Sequence, residues 1–125
     1  MLPPKYRLRH MKDWKILFDE GRFVGGDFIT LKIWKIDPEK YPRRKYSPQD
    51  LMIGFAVGTK IHKSAVKRNR IKRQMREVVR LLLKENKVEN GYIVSVLAKP
   101  SILNKDYPEI EKEILALFKK TKLLI

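Results

Sequence analysis

From Ala65 to Arg80 the chain reads AVKRNRIKRQMREVVR, seven lysines and arginines in sixteen residues with Glu77 as the only anion. Like charges one helical turn apart repel by a few tenths of a kcal/mol per pair. Folding does not ask for such a run; an external polyanion does. The residue types suit phosphate in particular. An arginine fork can hold two phosphate oxygens at once and can stack on an exposed base. Asn69 adds an amide among the forks, suited to a base edge or a sugar hydroxyl.

Spacing orders these side chains. At about 100° per residue, Ile71, Met75, Val78 and Leu82 form one narrow apolar stripe that must meet a sheet. Asn69, Lys72, Arg73, Arg76 and Arg80 fall in a sector of roughly 100° nearly opposite it, while Arg68 and Arg70 project to the flanks. An idle solvated face would mix signs for solubility. A membrane-surface helix would expose Trp, Phe or Leu beside its cations, and here the apolar stripe is needed for the core. Phosphate binding is the reading the pattern favours.

Other chemistries lack their residues. The acids are dispersed, whereas a two-metal nuclease needs clustered carboxylates. His10 and His62 stand far apart without acidic partners at ligand spacing, so no metal site and no catalytic side chain is assigned. With no cysteine, thiolate metal sites and disulfides are excluded, which fits a reducing compartment. No helix-turn-helix or zinc module marks a DNA-binding domain.

The elements that must carry the basic run follow from composition and punctuation. A chain of 125 residues with 43% hydrophobic content supports one domain with one core. Its net charge of +15 attracts polyanions from a distance. No apolar run approaches the roughly 20 residues of a membrane span, and Met1–Arg9 is a basic arm without a secretory apolar stretch. The expected protein is soluble and cytoplasmic. KDWKILFDEG reads as a short helix capped by Asp13 and ended by Gly21. A short strand, a Gly25-Gly26 turn and a strand over residues 28–36 follow, with Ile29, Leu31 and Ile33 on one face and Thr30, Lys32 and Trp34 on the other. Residues 37–50 hold three prolines among charges, an exposed basic loop. LMIGFAVGTK and GYIVSVLAKP read as buried strands on either side of the basic helix, which Ser64 caps and which runs to about Asn86. Asp106 and Glu109 form a capping-box pair ahead of Ile110, Ile114, Leu117 and Phe118. Glu109, Glu111 and Glu113 are expected to serve solubility on the exposed side of this last helix. The order is helix, two or three strands, long helix, strand, helix: an α+β fold.

AVKRNRIKRQMRE closely resembles the signature of the bacterial ribonuclease P protein subunit. YRLRHMKDWKILFDEG, IGFAVGTK and GYIVSVLAKP resemble its opening helix, third strand and final strand, so the likeness spans Tyr6 to about Lys120. The resemblance implies a four-stranded mixed sheet with three helices (α-β-β-β-α-β-α), like ribosomal protein S5 domain 2, with a left-handed crossover through the basic helix. It implies an accessory subunit of an endoribonuclease. The catalytic RNA, with its own Mg²⁺, removes the 5′ leader of precursor tRNA, while the protein binds that RNA and the leader and makes no contact with membrane or DNA. Carried over by position, Arg68, Asn69, Arg70, Lys72, Arg73, Arg76 and Arg80, with Lys60, Lys63 and Lys67, form the RNA-binding set. Trp14, Phe18, Ile29, Leu31, Ala56 and Lys60 line the leader cleft. Aromatic faces stack on unpaired bases without regard to sequence, which suits a variable leader; the same i, i+4 spacing of Trp14 and Phe18 also serves plain core packing. The chain departs from the family pattern in three places. Trp14 stands where Phe is usual, IHKS makes a longer turn before the basic helix, and Ala98 replaces an arginine before Lys99. The alternative is a ribosomal-type structural RNA-binding protein without a processing role.

Overall fold

The computed structural model describes residues 2–125. Its elements are α1 (Met11–Glu20), β1 (Arg22–Gly25), β2 (Ile29–Lys35), β3 (Leu51–Ala56), α2 (Ala65–Lys84), β4 (Tyr92–Ala98) and α3 (Tyr107–Lys120). The four strands form one mixed sheet in the order β1-β2-β4-β3. The β1/β2 and β2/β4 pairs are antiparallel, and β3/β4, joined through α2, is parallel.

Period-two alternation gives each sheet face its own partner. Leu31, Ile33, Ile53, Val94 and Val96 point toward α2 and α3, whose Ile71, Met75, Val79, Ile110, Ile114 and Phe118 complete the main core. Trp34 and Ile93 point the other way and pack with Ile16 and Leu17 of α1. The sheet is therefore covered on both faces, but α1 spans only ten residues and leaves part of its face open. That incomplete cover creates the groove described below.

Two corrections to the sequence reading arise at α1. The helix starts at Met11, not Asp13, because the His10 carbonyl accepts the Asp13 and Trp14 N–H groups at 3.0 and 3.1 Å. Asp13 is instead buried beneath the 37–50 segment, where its Oδ1 accepts from Tyr46 Oη at 2.5 Å and Arg44 Nε at 3.0 Å. Glu20, at the other end of α1, accepts from Lys40 Nζ at 2.5 Å and Tyr41 Oη at 2.7 Å. The proline-rich segment, though mostly exposed, is thus pinned to α1 by two carboxylates, and Tyr46 packs edge-on to Trp34. Gly21 ends α1 as expected, and a Cβ there would sit 2.6 Å from the Leu17 oxygen and 2.8 Å from the Ile33 oxygen.

The other caps match their sequence signals. Ser64 Oγ accepts from the Lys67 N–H at the start of α2, which ends at Lys84, two residues before the left-handed Asn86. Asp106 and Glu109 form the capping box of α3. Glu113 is more than a solubilising charge: its carboxylate accepts the Asp27 and Phe28 N–H groups at 3.0 and 2.8 Å and holds the β1–β2 turn.

A candidate RNA-binding face and leader groove

Starting α1 at Met11 places Met11, Trp14 and Phe18 in one stripe, spaced i, i+3 and i+7. The Trp14 and Phe18 rings stack with centroids 6.0 Å apart and planes inclined by 26°. With Phe55 and Ala56 of β3 they line an open apolar groove of 720 Å³, and Lys12 and Lys15 stand on its rim. Phe18 is 43% exposed, so it is no core residue. Trp14 is half-buried and fixed from two sides. Its Nε1 donates to the Leu8 carbonyl at 3.1 Å, and its ring lies over Gly54, where a Cβ would come within 2.4 Å of Cζ2.

The N-terminal arm runs beside the edge of β3, with the Leu8 N–H donating to the Ile53 carbonyl at 3.2 Å. Between this arm and α2 lies a second groove of 370 Å³ lined by Arg7, Arg9, Lys72 and Arg76, again with Trp14 and Phe55. The stacking platform and the cationic groove therefore adjoin through Trp14 and Phe55. Phe55 is only 7% exposed and packs in the main core with Ile53, and it borders both grooves because β3 is the edge strand.

Not every expected site residue belongs here. Ile29 and Leu31 are fully buried on the opposite sheet face, in the core against α2 and α3, and take no part in the groove. Strand alternation decides this: odd-numbered residues of β2 face the main core, and only even-numbered ones face α1. Lys60 stands exposed in the turn after β3, outside the lining of either groove. Lys63 is exposed, and its carbonyl, like that of His62, accepts from Arg68 Nη1 at 2.9 Å, so Arg68 braces the turn ahead of α2. Arg80 is bound to Glu77 at 2.6 and 2.9 Å, which lowers the Glu77 pKa and raises that of Arg80. Its charge is already matched.

Asn69 and Arg73 are exposed on the outer surface of α2, and Lys72 and Arg76 are half-buried toward the arm. Among the described residues none of Lys67, Arg70, Lys72, Arg73 and Arg76 forms an ion pair; the only one on α2 is Arg80–Glu77. Sequence reasoning missed Met11, Lys12, Lys15 and Phe55 in the groove, and Arg7 and Arg9 beside it. The first three were obscured by starting the helix too late. Phe23, outside both grooves, is 62% exposed on β1, and Lys32 Nζ lies 3.7 Å from its ring centroid. Lys99 donates to the Gly26 carbonyl at 2.5 Å.

No group of three or more His, Cys, Asp or Glu side chains among the described residues could hold a metal ion, and no described helix is long and apolar enough to cross a membrane. A four-stranded mixed sheet with three helices, presenting unpaired arginines beside an aromatic groove, is an α+β domain with a surface suited to a polyanion.

The family model described as Ribonuclease P matches residues 2–122. The ribonuclease P protein component of Synechococcus sp. (strain JA-2-3B'a(2-13)) is 33% identical over 127 residues, covering 100% of this chain and 88% of the relative. That of Symbiobacterium thermophilum is 32% identical, covering 95% and 93%. Among solved structures, a mutant RNase P protein of Staphylococcus aureus superposes with a TM-score of 0.78 at 18% identity, covering 96% of this chain and 90% of that one. The RNase P protein of Thermotoga maritima gives 0.70 at 23% identity, covering 91% and 96%. The chain belongs to the ribonuclease P protein family. Membership makes it a protein component of ribonuclease P, an endoribonuclease complex, with tRNA 5′ processing as its setting and the ribonuclease P RNA as its partner.

Proposed function

We propose that this chain docks on the catalytic RNA through α2 and holds the 5′ leader of precursor tRNA in the groove between α1 and β3. The observation that carries the reading is the junction of the two grooves at Trp14 and Phe55. Unpaired bases stack on the Trp14 and Phe18 faces, a contact worth about 1–3 kcal/mol per base. The backbone then runs past Phe55 toward Arg9, Lys72 and Arg76, whose charges meet successive phosphates. Neither contact reads sequence, as a leader that differs between precursors requires.

No acids among the described residues cluster into a Mg²⁺ site, and Asp13 and Glu20 are committed to the 37–50 segment, Glu113 to the β1–β2 turn and Glu77 to Arg80. In this reading Mg²⁺ belongs to the RNA, where it supplies the hydrolytic chemistry, and the protein's work is binding and orientation in the cytoplasm. The test is cleavage of precursor tRNA by the cognate catalytic RNA at limiting Mg²⁺, with and without this chain. Stimulation that grows as the leader lengthens across the groove supports the proposal. Stimulation independent of leader length refutes the leader role, and no stimulation leaves a structural RNA binder. Cleavage without the RNA overturns the assignment of chemistry to it.

A further inference from the structure

The cations of α2 do not share one side. Lys72 and Arg76 line the groove next to the arm, whereas Lys67, Arg70 and Gln74 line a separate hollow of 760 Å³ on the other flank. Its far wall is the 3₁₀ turn Pro100–Asn104 and the first residues of α3. A helix with its side chains is about 10–12 Å thick, so one flat RNA surface laid on Arg73 does not also fill this hollow.

The hollow combines apolar, aromatic and cationic side chains. Ile71 and Ile102 form a buried apolar floor, Leu103 is 43% exposed on the wall, and the Tyr107 ring is half-buried beside it. Lys67 and Arg70 have no ion-pair partner among the described residues. The one acid in the lining, Asp106, already accepts the Glu109 N–H at 3.1 Å as the cap of α3. His62 Nδ1 accepts the Ser64 N–H at 2.9 Å, which leaves Nε2 as the donor of its ring. Burial raises the Tyr107 pKa from 10.0, and the phenol is protonated at neutral pH as in any tyrosine.

We propose that this hollow receives an unpaired nucleotide of the catalytic RNA, with the base against Tyr107 and Leu103 and the phosphates on Lys67 and Arg70. The inference rests on the reading of α2 as an RNA-docking helix and extends it to the opposite flank. The volume lies within the roughly 300–1,000 Å³ of small-ligand sites. Proteins that recognise RNA specifically take splayed single-stranded bases onto aromatic side chains, because the deep groove of an A-form duplex excludes side chains. Asn104 and Gln74 supply amides at the rim for a base edge. The excess of cations disfavours an acid-poor protein partner.

The chain has no cysteine, so Leu103→Cys gives a unique thiol for a photo-crosslinker at the wall of the hollow. Asn69→Cys on the outer face of α2 and Lys119→Cys near the end of α3 serve as comparisons. Each variant is reconstituted with the cognate catalytic RNA, irradiated and mapped by primer extension. The expected result is a crosslink from position 103 to one unpaired nucleotide, a crosslink from 69, and background from 119. A crosslink from 69 with none from 103, or one from 103 into paired RNA, overturns this proposal and leaves the docking of α2 intact. Failure at both positions refutes that docking itself. As a second readout, Tyr107→Ala should weaken RNA binding about tenfold, as loss of one stacked base does, and Tyr107→Phe should retain it. Equal loss in both variants, or none in either, contradicts stacking.

Discussion

Gly54→Ala tests how the groove is built. A Cβ at this position meets Trp14 Cζ2 at 2.4 Å, Cη2 at 2.7 Å and Leu8 Cδ2 at 3.1 Å. The indole has to lift off β3, and its hydrogen bond to the Leu8 carbonyl is then strained or broken. Overpacking of this kind costs about 1–3 kcal/mol, and loss of the hydrogen bond adds about 0.5–1.5 kcal/mol. Gly54 has no positive φ, so alanine also gains about 0.4–1 kcal/mol by restricting the unfolded chain. The net expectation is destabilisation by about 0.5–4 kcal/mol, measured by urea unfolding. Trp14→Phe removes the clashing atoms, so the double variant should recover most of the loss, with a coupling of about 1–3 kcal/mol between the two positions. Additivity of the two substitutions within about 0.5 kcal/mol would refute the claim that Gly54 exists to seat this ring.

Three further outcomes follow from the same geometry. Asp13→Ala leaves the Arg44 guanidinium and the buried Tyr46 hydroxyl without their acceptor and should cost about 2–4 kcal/mol in urea unfolding; a cost below about 0.5 kcal/mol contradicts the pinning of the 37–50 segment. Leu31→Ala should destabilise the fold by about 2–5 kcal/mol yet weaken long-leader and leaderless substrates equally, whereas Trp14→Ala should weaken long-leader substrates selectively; the reverse pattern puts Leu31 back in the groove. Burial, reinforced by the bond to Asp13, pushes Tyr46 up to about 12 from its ordinary 10.0. Because the folded state holds this proton more tightly, the stabilisation is complete below pH 10 and lost as pH rises toward 12, so absorbance titration should show a late tyrosine that Asp13→Ala moves downward.

Much of this architecture is written locally in the chain. Ser64, the Asp106–Glu109 pair and Gly21 announce their helix ends because each signal acts within a few residues. The apolar stripe of α2 is legible for the same reason. What escaped the sequence depends on distant partners. Asp13 looks like a helix cap until Arg44 and Tyr46, more than thirty residues away, claim it. Glu113 looks solvated until the β1–β2 turn arrives. Ile29 and Leu31 alternate correctly, but nothing in β2 says which face α1 covers, so their place in the groove was lost when the layers formed. Arg68 and Arg80 have the right type for phosphate, yet the His62 and Lys63 carbonyls and Glu77 are nearer. Residue type showed the capacity of the basic helix; packing decided which of its cations remain free.

The most direct measurement is the salt dependence of binding to the catalytic RNA, comparing the parent chain with a Lys72→Ala, Arg73→Ala, Arg76→Ala variant and with Arg80→Ala. Each lost phosphate contact lowers the slope of log affinity against log salt by about 0.7–0.9. The triple variant should therefore lose about 2–3 from the slope, while Arg80→Ala, whose charge Glu77 already meets, keeps the parent value. A triple variant with the parent slope contradicts the account.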